Sequence, residues 1–194
     1  VQEGVCGRAR EAAPEIDLIR AREADCAVVV DLIRQGKLPL RVTHNDTKLN
    51  NILMDPVTYE GVCVIDLDTV MPGSALYDFG DSIRFGASSA SEDEQDLSKV
   101  YLDLNLFQKY TDGYLSQAAG SLTDLEKELL PFSAKLLTLE CGMRFLTDYL
   151  QGDTYFKIHR PGHNLDRART QLKLVTDMEQ KMAQMQGIVR DCLR

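Results

Sequence analysis

No stretch of these 194 residues is apolar over the length a bilayer demands, and basic residues are in deficit, 22 Lys and Arg against 30 Asp and Glu for a net charge of −8. The first lack argues against a membrane protein. The second argues against a nucleic-acid partner, whose phosphates need clustered cations. Cysteine is present but unorganised: Cys6, Cys26, Cys63, Cys141 and Cys192 are odd in number and scattered, forming neither a disulfide framework nor metal-ligand spacing. Reduced thiols in a cytoplasmic protein are the expectation. A basic-then-apolar leader is also lacking, and with it any sign of export, while a start at Val1 points to a piece of a longer chain.

What is present is a globular composition, 44% hydrophobic and 27% charged, sized for one domain over residues 1–194. Apolar positions at helical spacing from 9 to 34 predict one long helix, ended by Gly36 and Pro39. Residues 51–54 and 61–65 predict two strands joined by a turn at Asp55-Pro56, the one strong strand signal. The bend at Pro72-Gly73-Ser74 precedes an expected helix over 76–85, and a further helix is expected over 97–115. Thr123 and Glu126 have capping-box spacing ahead of an apolar stripe that runs to Leu150, which Pro131 is expected to divide into two helices. Residues 151–163 read as a loop, and Asn164 as the cap of a final helix. The fold class is therefore mainly α with a small β-hairpin, α+β.

The chemistry-bearing string is Thr43-His44-Asn45-Asp46-Thr47-Lys48-Leu49-Asn50-Asn51, followed after a turn by Ile65-Asp66. Phosphoryl transfer asks a protein for a base or orienting group at the nucleophile and for oxygen ligands to magnesium on the phosphates. Asp46 is a candidate for the first role and the pair Asn51 and Asp66 for the second. A hairpin would bring all three to one end, since Asp46 precedes the first strand, Asn51 opens it and Asp66 closes the second. Taken singly, each is also an ordinary turn or strand-end residue. Lys48 is placed to reach the transferring phosphate, and His44 to fix the loop by packing and hydrogen bonding.

The string His44 to Asn51, with Ile65-Asp66-Leu67-Asp68, resembles the aminoglycoside phosphotransferase and choline kinase superfamily. The strings LECGMRFLTDYLQGDTYFK and HRPGHNLDRARTQ narrow the resemblance to the N-acetylhexosamine kinases, which use ATP to phosphorylate a sugar's anomeric hydroxyl. That resemblance implies Asp46 as base, Asn51 and Asp66 as magnesium ligands, and substrate contacts from Asp46, Arg144 and Tyr155. From the residues alone, Arg144 reads as an ion-pair partner of Glu140 one turn back and Tyr155 as a loop anchor. Asp78-Phe79-Gly80 spells the metal-binding tripeptide of protein kinases, but Asp66 follows the hairpin strand directly and Asp78 does not, so Asp78 is expected to brace the loop or cap a helix.

The resemblance also implies a sheet-rich amino-terminal lobe carrying a glycine-rich loop and a strand-borne lysine to grip ATP. Gly4 and Gly7 are too sparse to make such a loop. The expectation is the carboxyl-terminal lobe of a protein-kinase-like fold, its partners being a small sugar, ATP and the missing lobe of the same protein. Choline, ethanolamine, homoserine or an aminoglycoside as acceptor, and a non-catalytic kinase-like module, are the alternatives.

Overall fold

A computed structural model of the chain describes residues 6–194, which contain six α-helices and four short strands. In chain order these are α1 (Ala13–Arg20), α2 (Glu23–Arg34), β1 (Arg41–Thr43), β2 (Ile52–Met54), β3 (Gly61–Val64), β4 (Met71–Gly73), α3 (Ala75–Gly86), α4 (Leu104–Ala118), α5 (Asp124–Gln151) and α6 (His163–Cys192). Among the described residues no helix is long and apolar enough to cross a membrane. The class is α+β as expected, with more strand than the sequence shows.

The two long helices, α5 and α6, lie against each other along much of their length, and α3 packs on α5. Leu76, Phe79 and Ile83 of α3, Phe107 of α4, Leu130 and Ala134 of α5, and Leu174 and Met178 of α6 are fully buried in one cluster. Each large apolar side chain withdrawn from water here contributes roughly 1.5–3 kcal/mol. Phe79 meets the ring of Tyr114 at 5.1 Å and that of Phe107 edge-on at 6.3 Å between centroids. Glycine sets how close the helices come. A Cβ on Gly80 would stand 2.5 Å from the Ser133 backbone oxygen, so α3 meets the backbone of α5 directly.

Several local expectations give way to tertiary contacts. The helix expected over 9–34 is two helices, because Arg22 turns the chain. Its backbone N–H donates to Ile19 O at 2.9 Å, and its guanidinium donates to both carboxylate oxygens of Glu179 on α6, at 2.9 and 2.6 Å. Pro131 lies within a continuous α5 instead of dividing it. Leu130, Pro131, Ser133 and Ala134 are all buried there, and that burial outweighs the ~3 kcal/mol cost of an internal proline. Helix α4 starts at Leu104, later than expected, because Asp103 caps it and Leu102 N–H is drawn into a 2.7 Å bond to Asp177 on α6. Gly162, with φ 74°, precedes α6, while Asn164 sits inside the first turn with its amide donating to Asp148 and Asp153.

The hairpin β2–β3 is antiparallel, pairing Ile52 with Val64, as the sequence suggests. The second pair, β1–β4, sets Arg41 opposite Gly73 and occupies the expected Pro72-Gly73-Ser74 bend. A two-stranded sheet has open edges, so Pro72 is tolerated there. Gly73 is required by contact, since a Cβ would lie 2.4 Å from Thr43 Oγ1. Arg41 then ties β1 to α5. Its Nε and Nη2 donate to Glu126 at 2.6 and 2.7 Å, and the same carboxylate completes the capping box with Thr123. Burial works to raise the Glu126 pKa, but Arg41 and Thr123 outweigh it and the pKa is lowered.

Gly80→Ala is expected to cost about 2 kcal/mol, since the added methyl meets backbone and not a flexible side chain. Thermal melting should show a drop of roughly 4–8 °C.

Candidate active site

Helix α3 holds the loop that carries Asp46. Ser74 caps the helix by accepting from Leu76 N–H, and the first two turns present Asp78 and Asp81 to the loop. The Asp78 carboxylate accepts the N–H of His44 on Oδ2 at 2.9 Å and of Asn45 on Oδ1 at 2.8 Å. Asp81 Oδ2 accepts Thr47 N–H at 3.1 Å, Thr47 Oγ1 donates to the Asp78 carbonyl at 2.7 Å, and Ser82 Oγ donates to the Thr47 carbonyl at 3.1 Å. Phe79 and Gly80 are the core and close-contact residues already described. Each member of Asp78-Phe79-Gly80 thus has a place in the packing of α3.

Two residues let the loop turn. Asn45 adopts φ 62°, a left-handed conformation Asn tolerates, and its amide donates to Thr69 O at 3.0 Å. His44 is engaged on both ring nitrogens: Nδ1 accepts Asp46 N–H at 3.3 Å, so the proton lies on Nε2, 3.0 Å from Ile65 O. With both nitrogens in use, the ring links the loop to the end of β3.

Asp46 Oδ2 accepts from Lys48 Nζ at 2.8 Å and from Asn51 Nδ2 at 3.0 Å, and the same Asn51 nitrogen reaches the Asp46 carbonyl at 2.8 Å. Burial alone would raise the Asp46 pKa. The bonds from Lys48 and Asn51 outweigh that, and the carboxyl is held below its ordinary range. The bond to Asp46 in turn raises the Lys48 pKa against a smaller desolvation effect, with Asp66 and Asp81 adding to the field.

Asp66 is exposed and left-handed at φ 64°. It follows Ile65, whose N–H donates to Asn51 O at 2.9 Å and whose carbonyl meets His44. Asn51 and Asp66 are thereby held in one neighbourhood. The Asn51 amide uses its nitrogen on Asp46, which leaves its oxygen as the end open to a cation. Among the described residues no group of three His, Cys, Asp or Glu converges as a metal site. An Asn–Asp pair nevertheless fits magnesium, which keeps several waters and takes much of its shell from substrate phosphates.

Asp46 opens on a cavity of about 510 Å³ between the loop, α3 and α5. Asp81, Arg84, Glu140 and Arg144 supply its other charged groups, and Tyr77, Leu136, Leu137 and Met143 its larger apolar ones. Arg84 lies 2.9 Å from both Asp81 and Glu92; burial opposes its charge, but these acids help to raise its pKa. Burial pushes Glu140 up, and pushes the Cys141 thiol up to about 12. Arg144 is 3.8 Å from Glu140, with its guanidinium 5.5 Å from the Phe156 ring centroid. Tyr155 stands apart. It lines a separate outer cavity of about 390 Å³ that shares Glu140, Met143 and Arg144 with the first. Neither the cavity position of Arg84 nor that of Asp148, which lines the outer cavity, follows from spacing, since both depend on how α3 and the 151–162 loop pack on α5.

A family model described as a phosphotransferase enzyme family (APH) matches residues 4–110, just over half of the chain. The chain belongs to this phosphotransferase family. The match takes in the Asp46 loop, the β2–β3 hairpin and α3, and stops before α5 and the 151–162 loop. The family assignment therefore rests on the Asp46 loop, the hairpin and α3, and carries no information on the acceptor.

Asp78→Asn removes one of two charge-assisted acceptors from the loop backbone. A roughly 10- to 100-fold fall in kcat is expected, from bonds worth about 1.5–3 kcal/mol. Hydrogen exchange at His44 and Asn45 should rise in the same variant while α5 stays protected.

Proposed function

We propose that this phosphotransferase moves the γ-phosphoryl group of ATP to the anomeric hydroxyl of an N-acetylhexosamine. The observation that carries the reading is that one cavity is lined both by Asp46 and by Arg144 and Glu140. A guanidinium and a carboxyl suit the hydroxyls and acetamido carbonyl of a neutral sugar. Charges in and beside the cavity are largely paired, Asp46 with Lys48, Asp81 with Arg84 and Glu140 with Arg144. A cationic acceptor such as choline or an aminoglycoside would need a surplus of carboxylate that this pairing removes.

In the proposed reaction the acceptor oxygen attacks the γ-phosphorus, the bond to the β–γ bridging oxygen breaks, ADP departs and the acceptor proton passes to Asp46. Because Oδ2 of Asp46 is occupied by Lys48 and Asn51, Oδ1 is the atom assigned to the hydroxyl. Lys48, bonded to this carboxylate at 2.8 Å, would contribute positive charge as the transferring group develops negative charge. Asn51 and Asp66 would hold magnesium, which would shield the phosphates and help align them. Tyr155 is assigned to the acceptor side, beyond Arg144. The intact arrangement of Asp46, Lys48 and Asn51 favours a catalytic role over a scaffold.

The nucleotide-gripping half of the site is assigned to a further lobe of the same protein. The support is a surface: Val42 is 82% exposed, Val62 68% and Leu53 50%, and both strands of the β2–β3 hairpin are exposed along their length. Apolar side chains left this open on two-stranded sheets suit a contact with a further part of the protein.

A panel of acceptors offered to the full-length protein tests the assignment. Phosphate is expected on N-acetylglucosamine or N-acetylgalactosamine, and its appearance on choline alone would sink the sugar reading. The pH dependence gives a second test. Activity requires Asp46 deprotonated, so it is lost as pH falls through the lowered pKa. Lys48→Met removes a group that lowers that pKa, and the acidic limb of kcat/KM should move to higher pH.

A further inference from the structure

Two aspartates one turn apart on α3 hold the Asp46 loop, and among the described residues only one of them is paired with a cation. Asp78 and Asp81 both accept loop N–H groups, and the only ion pair that either makes is that of Asp81 with Arg84. Arg84 Nε donates to Asp81 Oδ1 at 2.9 Å, Nη2 lies 2.9 Å from the same oxygen, and Nη1 donates to Glu92 Oε1 at 2.9 Å. The Arg84 side chain is 10% exposed and that of Asp81 16%, so water and salt screen the pair little. Asp81 is thereby divided: Oδ1 faces the guanidinium, and Oδ2 is left for Thr47 N–H.

That N–H belongs to the peptide unit that also carries the Asp46 carbonyl. Asn51 Nδ2 donates to the carbonyl end at 2.8 Å and Asp81 accepts from the N–H end at 3.1 Å, so the peptide directly after Asp46 is gripped at both ends. An unpaired carboxylate at position 81 would stand near Asp78 and Asp46 without a counter-charge, and would turn toward any cation in reach. Lys48 is such a cation: the Asp81 charge already acts on it, while its ammonium is bonded to Asp46 Oδ2 at 2.8 Å. Glu92 fixes the other arm of the guanidinium, which as a planar fork meets two acids in one fixed geometry. The segment bearing Glu92 is itself pinned to α6, where Asp93 Oδ2 lies 3.0 Å from His163 Nε2 and the Glu94 carbonyl accepts from Thr170 Oγ1 at 2.9 Å.

We propose that Arg84 is a positioning residue for phosphoryl transfer: it neutralises Asp81 through one oxygen, so that the other holds the peptide after Asp46 and Lys48 stays with Asp46. Arg84 acts through Asp81 and not on the acceptor. The proposal rests on the reading of Asp46 as the group that takes the acceptor proton, and is independent of which acceptor is phosphorylated.

The test compares full-length Arg84→Met, Asp81→Asn and the double variant for ADP release, with ATP and whichever acceptor of the panel above takes phosphate, and for amide exchange at Thr47. Arg84→Met is expected to lower kcat about 10- to 100-fold with acceptor KM within about threefold of the parent, and to speed exchange at Thr47. Asp81→Asn keeps an oxygen for Thr47 N–H and removes the charge that needs Arg84, so adding it to Arg84→Met should bring kcat to within about threefold of Asp81→Asn alone. Additive losses in the double variant, or a raised acceptor KM that Asp81→Asn does not restore, would overturn the proposal by placing Arg84 on the substrate. A lower melting temperature with parent kcat and parent exchange at Thr47 would overturn it too, leaving a stabilising ion pair. If Arg84→Met does not fold, the double variant against Asp81→Asn carries the test: equal kcat supports the proposal, and a further fall of about tenfold overturns it. These outcomes bear on Arg84 alone, whereas parent activity in Asp46→Asn would overturn the Asp46 reading and this proposal with it.

Discussion

One carboxylate accepting two consecutive backbone N–H groups fixes the geometry on which the rest of the site depends. Asp78 holds His44 and Asn45, and Asp81 holds Thr47, so the loop is bolted to α3 on both sides of Asp46. The position of α3 is itself set by Phe79 in the aromatic cluster and by Gly80 against the backbone of α5. A displacement of α3 would therefore move the candidate base. Charged acceptors on backbone donors are stronger than neutral ones, and a rigid helix is a better platform for such a group than a free loop.

The two halves of the site are built differently. On the loop side, Asp46, Lys48, Asn51 and the end of β3 are joined by short hydrogen bonds within some twenty residues of sequence. On the α5 side, Arg144 and Glu140 come from that helix, and the backbone at Tyr155 is held by Asp148, which Asn164 of α6 also reaches. The family match follows the first half and ends before the second.

Legibility in the sequence follows the range of the interactions. The β2–β3 hairpin, the Thr123–Glu126 capping box and the string around Asp46 are local, and their residues announce them. The β1–β4 pair was hidden because three-residue strands some thirty positions apart leave no periodic signal, and Pro72-Gly73 reads as a bend. Pro131 misled for the opposite reason: its local preference is strong, but α5 is buried on several sides and packing decides. Asn164 has good capping chemistry, yet two buried carboxylates claim its amide. The separation of Tyr155 from the Asp46 cavity, and the role of Asp148 beneath it, depend on how a loop folds back on α5, which no spacing rule carries.

The central claim is that Asp46 takes part in the transfer itself. Its most direct measurement is the phosphotransfer rate of full-length Asp46→Asn protein, alongside a melting curve of the same sample. The substitution keeps size and most hydrogen-bonding capacity, so the fold should survive, while kcat should fall by roughly 10²–10⁴ with the loss of the proton acceptor. A folded Asp46→Asn protein that transfers phosphate at the parent rate would contradict the account.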